Sequence, residues 1–303
     1  MHMTTKLRDE LAKGLVVAPS CYDALSARLA EQAGFQAIHM TGLGVEAAQL
    51  GAPDLGLLTM SEIAQHASRM AQAVSIPILA DIDTGFGGVL NVGRTIREME
   101  RAGVAGVHIE DQALPKHCPL LAGRTVVSRE EAVDRLKAAL DARTDPDFVI
   151  VARTDGDTIS IEEVIERSNL FLEAGADMVM PIFMQVEGRS FFSLPPDEQM
   201  ALSRKVVGSI DGRVMNMGGS PPAGYTTADL ADIGYAFTMF ASTALGVAAN
   251  AMADVFREMR EKGTDAGYIA AHPGPYHDPL ELMRAARLDE FVDLEKRYTA
   301  TLA

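Results

Sequence analysis

An α/β barrel of the (β/α)₈ TIM type, with an additional C-terminal helix, is the fold the sequence predicts. Two observations carry it. Eight short apolar runs alternate with longer amphipathic stretches, the pattern of parallel strands joined by crossover helices, and eight such units in roughly 250 residues match a closed barrel. No Gly-x-Gly-x-x-Gly turn follows the first run, which disfavours a doubly wound open sheet.

The runs that read as strands are Leu15 to Pro19, Ala37 to Thr41, Ile76 to Asp83, Gly106 to Asp111, Phe148 to Asp155, Met178 to Phe183, Arg213 to Met217 and Tyr235 to Phe240. Helical periodicity marks Asn91 to Ala102, Arg129 to Arg143 and Ile161 to Ala174. Three strand openings share a theme, Gly-Phe-Gln-Ala-Ile-His, Gly-Val-Ala-Gly-Val-His and Gly-Ala-Asp-Met-Val-Met; this is weak repetition of a β/α unit. Phe183 to Pro196 has a poor helical pattern and reads as a long loop. Ala271-His272-Pro273-Gly274-Pro275 reads as a linker before a last helix from Pro279 to Tyr298. The expected organisation is a barrel over 1–270 and a helical extension over 271–303, whose helix lies beyond the eighth unit and is free to pack on another subunit.

The 303 residues carry a net charge of −15 and 48% hydrophobic side chains. The charge argues against a nucleic-acid or membrane-surface binder and leaves room for a small anion held by local cations. Two cysteines, Cys21 and Cys118, make no disulfide framework, so a reducing compartment is expected. No apolar signal region opens the sequence and no apolar run is long enough for a membrane span. A soluble cytoplasmic protein is the expectation.

Asp81-Ile82-Asp83-Thr84-Gly85-Phe86-Gly87-Gly88 is the most informative segment. A strand ending in two acids, alternating onto one face, brings like charges together unless a cation or proton neutralises them. A hard divalent cation suits such a pair: Mg²⁺, with Mn²⁺ as the alternative. Other polar residues also fall at strand ends: Glu110 and Asp111, Arg153 and Asp155, and Asn216. In a barrel these ends converge on one face. Glu110 could support the metal or form an ion pair with Arg153 or Lys116. Arg153 offers a fork for a substrate carboxylate or for a neighbouring acid. His108 is either a buried hydrogen-bonded residue or a catalytic one. In the loop Leu114-Pro115-Lys116-His117-Cys118-Pro119, a thiol beside Lys and His is expected to have a lowered pKa if it is not inert filler. Cys21 reads as a packed thiol. No Ser-His-Asp pattern, zinc-ligand spacing or phosphate-binding loop is evident.

The stretches Tyr22-Asp23-Ala24-Leu25-Ser26-Ala27, Met40-Thr41-Gly42, Leu50 to Gly56, Asp81 to Gly87, His108 to Gln112, Lys116-His117-Cys118 and Ala152-Arg153-Thr154-Asp155 together resemble the isocitrate lyase/phosphoenolpyruvate mutase superfamily. The similarity is strongest to its methylisocitrate lyase and dimethylmalate lyase branch, over residues 15–180. The resemblance implies a (β/α)₈ barrel, a Mg²⁺ site, a small anionic 2-oxo or 2-hydroxy acid substrate and a homotetramer that exchanges its last helices. It implies Asp83 as a metal ligand, with Asp81, Asp54 and Glu110 acting mainly through water. Thr41, Gly42 and Leu43 would line the carboxylate pocket, Arg153 would hold the substrate and Cys118 would lie on a mobile gating loop. His108 and Asn216 are further candidates for substrate contact, and Lys116 for catalysis.

The sequence departs from that pattern. Pro119-Leu120 replaces the Gly-His that usually follows the gating-loop cysteine, and proline removes a donor. Pro181-Ile182-Phe183 stands where a glutamate usually ends the sixth strand. Gly218-Gly219-Ser220 follows Asn216-Met217, where another glutamate is usual. Glu187 is a candidate substitute. Leu43 adds apolar bulk. A substrate less polar than a tricarboxylate follows. The leading expectation is a Mg²⁺-dependent carbon–carbon lyase with Tyr22 as a phenolate base and Cys118 as general acid. The alternatives are a decarboxylase or hydrolase of an oxaloacetate-like or phosphonopyruvate-like acid, and a barrel that binds an oxo acid without turnover.

Overall fold

The computed structural model describes residues 2–186 and 188–299. The chain forms two compact units, one running to Thr243 and one from Ala244 onward. The first contains the strands β1 (Val16–Cys21), β2 (Ile38–Met40), β3 (Ile78–Asp81), β4 (Gly106–Glu110), β5 (Val149–Thr154), β6 (Met178–Pro181), β7 (Gln185–Val186), β8 (Arg189–Ser190), β9 (Val214–Met215) and β10 (Tyr235–Phe240). Eight of them close a barrel in the order β1-β10-β9-β6-β5-β4-β3-β2, every pair parallel. Each of the eight runs expected to be a strand is one: six are shorter by one to four residues, β1 extends two residues further, to Cys21, and β10 has the expected bounds. The segment expected as a long loop holds the antiparallel ribbon β7–β8 and a 3₁₀ turn, Phe191–Ser193. The ring of Phe191 packs edge-on against Phe183 at 5.4 Å, so an aromatic contact, silent in the helical periodicity, gives this segment its order. Glu187 lies outside the described residues.

Local chemistry explains the elements. The helix Met60–Ala73 starts at Thr59, which forms a reciprocal capping box with Glu62. It buries Ile63, His66, Ala67 and Met70, spaced three and four apart. The strands bury nearly all their residues because helices cover the outside while side chains fill the inside. Paired residues share a face, so the registers Thr41 after β2, Leu79–Gly106, Asp81–His108, Glu110–Arg153 and Arg153–Met180 define the lumen. The lumen is two-sided. Ser20, His39, Asp81, His108, Glu110 and Arg153 line β1 to β5, whereas Met178, Met180, Met215, Phe237 and Met239 line β6 to β10.

The second unit is helical. The helix Thr243–Lys262 leads into it, followed by Ala266–Ala271, Pro279–Ala285 and Leu288–Thr299. The single last helix expected over 279–298 is two helices, because Arg287 takes a left-handed conformation at φ 72°. That turn is costly for a residue with a Cβ; Arg287 pairs with Glu290 across it. Val247, Phe256, Phe291 and Tyr298 are exposed. Among the described residues no helix is long and apolar enough to cross a membrane.

Gly106 opens β4 at its tightest approach to β5. A Cβ there would lie 2.5 Å from the Val149 carbonyl oxygen and 2.8 Å from Val149 Cβ. Neither neighbour can swing away, since both belong to the strand. Gly106→Ala is expected to lower the unfolding free energy by about 2–3 kcal/mol, read by urea denaturation; a wild-type midpoint would show that β4 and β5 are less closely packed.

Candidate active site at the carboxyl ends of the strands

Asp81 ends β3, and Asp83 lies just beyond it in a left-handed turn at φ 48°. Strand alternation therefore does not bring the two acids together, as the sequence suggested. A turn does: the Asp83 N–H donates to Asp81 Oδ1 at 3.0 Å. This leaves Asp81 Oδ2 to accept from the Gly42 N–H at 3.4 Å, at the start of the helix Gly42–Leu50. The helix dipole favours a carboxylate there. Gly42 has to be glycine, because a Cβ would stand 2.8 Å from Asp81 Oδ2.

Lys116 reaches into this nest from the β4 loop. Its Nζ lies 2.6 Å from Asp83 Oδ1 and also pairs with Asp54. Burial works against its charge, but Asp83, Glu110, Asp54 and Asp81 outweigh burial and raise its pKa. Lys116 is thus an ammonium. Burial would raise the Asp81 carboxyl, yet the neighbouring His108 and the charges of Lys116 and Arg153 hold it below the usual range. Burial lifts Asp83 to about 6 against the pull of Lys116, with Asp81 and Asp54 adding to the rise.

Glu110 and Arg153 face one another on adjacent strands, Nη1 to Oε2 at 2.8 Å. Both roles weighed for Arg153 bear on its geometry: its Nε and Nη2 bind Asp155 at 2.9 and 3.1 Å, leaving one hydrogen on each terminal nitrogen for an incoming anion. Burial raises Glu110 well above its ordinary value, opposed by Arg153. Glu110 Oε1 is buried without a partner. Asp111 turns away to Thr154, the Asp155 N–H and Arg167; it holds strands together and does not face the mouth.

His108 stands 3.7 Å from Asp81 and 2.9 Å from His39, Nε2 to Nε2. His39 in turn meets Ser20 at 3.0 Å. Burial lowers the pKa of both imidazoles, His39 to about 3. Thr41 caps the helix that follows it, its hydroxyl accepting from Gly44. Leu43 lies half-buried in the first turn. Asn216, beyond β9, uses its side-chain oxygen on the Gly218 N–H at 2.8 Å, which leaves its amide N–H₂ free to donate.

Two expectations are corrected. Cys118 does not have a lowered pKa: burial raises it, and the nearby Lys116 and Arg153 are weaker influences. The thiol is protonated at neutral pH. Tyr22 is not suited to be a phenolate, because burial and the adjacent Asp23 and Cys21 all raise its pKa.

Several contributors carried little sequence signal. Arg124 is buried between Asp155 and Asp157, at 2.7 and 2.9 Å, and fastens the far end of the β4 loop to β5. Gln112 closes the near end, its amide bonding both the carbonyl and the N–H of His117 at 2.9 Å. Neither sits in a pattern that periodicity would flag.

Asp54, Asp81, Asp83 and Glu110 thus stand around two cations, Lys116 and Arg153. The donors are hard oxygens, and Glu110 Oε1 lacks a partner. This set fits a divalent hard cation. Among the described residues no group of three or more His, Cys, Asp or Glu side chains converges as direct ligands.

The phosphoenolpyruvate phosphomutase family model matches residues 7–260. A 2,3-dimethylmalate lyase from Eubacterium barkeri is 40% identical over 272 residues, 89% of this chain and 90% of its own. A 2-methylisocitrate lyase from Aeropyrum pernix is 39% identical, covering 85% of this chain and 80% of its own. A phosphonopyruvate hydrolase solved with oxalate and Mg²⁺ superposes with a TM-score of 0.81 at 30% identity, over 98% of this chain and 99% of that one.

The buried imidazoles set a pH dependence. With a folded pKa of about 3 against an ordinary value of 6.5, His39 stays neutral when folded and takes a proton when unfolded, so stability falls as pH drops below 6.5. Between pH 7 and 5 His39 should account for about 2 kcal/mol of lost stability. Denaturation of His39→Gln and of the parent at both pH values tests this: the loss should be smaller in the variant by that amount, and equal losses would show that His39 is protonated in the fold.

Proposed function

Because the chain belongs to the phosphoenolpyruvate mutase/isocitrate lyase superfamily, we propose that it is a Mg²⁺-dependent carbon–carbon lyase. Its substrate would be a 2-hydroxy dicarboxylate with an apolar substituent, cleaved to a 2-oxo acid and a second carboxylic acid. The observation that carries this reading is the two-sided inner end of the barrel, with four acids and two cations on one side and Met180, Met215 and Met239 on the other. The acids would hold the cation, Asp83 directly and Asp81, Asp54 and Glu110 mainly through water. When bound, it would supply Lewis acidity to the substrate's 2-oxygen.

The chain's own residues supply the rest. Arg153 offers its two free N–H groups to a carboxylate. At the start of the helix capped by Thr41, the Gly42 N–H is held by Asp81, and Leu43 would supply an N–H donor to an anion. Asn216 donates its amide, and His108, neutral, stays within reach of Asp81. Tyr22 enters as a neutral hydroxyl donor. Met180 and Ile182, on the inner face of β6 and just past it, give an alkyl group an apolar wall. Glu110, whose Oε1 is buried without a partner, would take the substrate's 2-hydroxyl proton as the carbon–carbon bond breaks; Cys118, protonated, gives its Sγ proton to the carbon of the departing acid, and Lys116 stabilises the negative charge beside it. The apolar residues left exposed on the second unit support a homotetramer in which last helices are exchanged.

A hydrolase or decarboxylase of a 2-oxo acid is the second reading, favoured by the likeness to phosphonopyruvate hydrolase. Incubation with a panel of 2-hydroxy and 2-oxo acids and Mg²⁺, followed by product mass, separates the two. Two organic acids support the lyase. Released CO₂ or inorganic phosphorus products support the alternative. With the lyase substrate in hand, Cys118→Ser should lower kcat by about a hundredfold or more with KM little changed; undiminished turnover would remove the thiol from the chemistry.

A further inference from the structure

Glu46 is a buried carboxylate that the functional reading does not use. It sits mid-helix in Gly42–Leu50, 2% exposed, and among the described residues no Lys, Arg or His pairs with it. Its compensation is backbone. Oε2 accepts the Leu55 N–H at 2.8 Å, and Oε1 accepts the N–H groups of Leu57 and, at 3.2 Å, Leu58. Three amide donors around one carboxylate form a concave anion cradle, here occupied by the protein's own acid.

The cradle lies in a segment without regular structure, between the helices Gly42–Leu50 and Met60–Ala73. Without Glu46 these three amides would lack a partner, and the segment would have little reason to hold one shape. Asp54 is the residue immediately before it. Asp54 binds Lys116 through its side chain, and its carbonyl oxygen accepts the Cys118 N–H at 3.2 Å. One short segment therefore touches the cation nest and the β4 loop together.

We propose that Glu46 is a positioning residue: by gathering the amides of Leu55, Leu57 and Leu58 it fixes Asp54 where it can serve the divalent cation and the Lys116–Cys118 loop. This rests on the metal-dependent reading above. A carboxylate is required because its two oxygens are acceptors only. Glutamine would turn a donating amide group toward backbone donors.

Binding of Mn²⁺, read from the electron paramagnetic resonance of the free ion, tests the proposal without turnover. Glu46→Gln should weaken Mn²⁺ binding by about tenfold, and so should Asp54→Asn. The double variant should be no weaker than the poorer single, since both act through one group. A folded Glu46→Gln protein with parental Mn²⁺ affinity, or two effects that multiply, would overturn the proposal while leaving the metal site itself standing. A parent protein that binds no Mn²⁺ would overturn both readings. If Glu46→Gln does not fold, hydrogen exchange in the parent decides. Amides 55, 57 and 58 should exchange about a hundredfold or more slower than unstructured chain, and unprotected exchange would sink the idea.

Discussion

The site is organised by one buried ammonium. Lys116 enters from a loop that has no regular structure and is clamped between Asp54 and Asp83, which come from two other connections. Taking such charges out of water is expensive, and removing one partner of a buried pair typically costs about 3–5 kcal/mol. The three loops are therefore tied to a common point. The left-handed turn at Asp83, the glycine at position 42 and the amide cradle around Glu46 are all local solutions to meeting at that point.

Charge at the mouth is unevenly spread for a reason that reaches back to the strands. β3 to β5 carry acids and an arginine at their ends, whereas β6, β9 and β10 present methionine and phenylalanine on the same inner surface. A ligand that satisfies both halves needs anionic oxygen at one end and alkyl surface at the other. The shifted side chains agree with this division. Cys118 keeps its proton because burial outweighs the cations near it, which suits a donor and not a nucleophile. Asp81 remains ionised because three cationic or polar neighbours outweigh burial.

The barrel was legible in the sequence because strand signals are local: each of the eight runs is apolar, bounded and followed by a helical pattern. The acids at β3 and β4, Arg153 and Lys116 were legible for the same reason, since they stand at the ends of those runs. What sequence order could not convey is how side chains share hydrogen bonds across the mouth. Asp111 adjoins Glu110 yet faces outward to Arg167. Arg124 has no patterned neighbours, and only the folded chain brings it to Asp155 and Asp157. Thiol acidity is not legible in the sequence, because adjacent Lys and His suggest a lowered pKa, whereas desolvation dominates once the loop is packed. Glu46 did leave a trace, as the single charged residue in Gly42–Leu50, though only the amide contacts give that trace a meaning.

The central claim is that the acids around Lys116 take a divalent cation beside the 2-oxygen of a small acid. Anomalous diffraction from crystals grown with Mn²⁺ and oxalate tests it most directly. The account predicts one strong peak within coordination distance of Asp83, with oxalate on the same ion and Arg153 on its carboxylate. A peak elsewhere, or oxalate bound at the mouth with no metal beside Asp83, would contradict it.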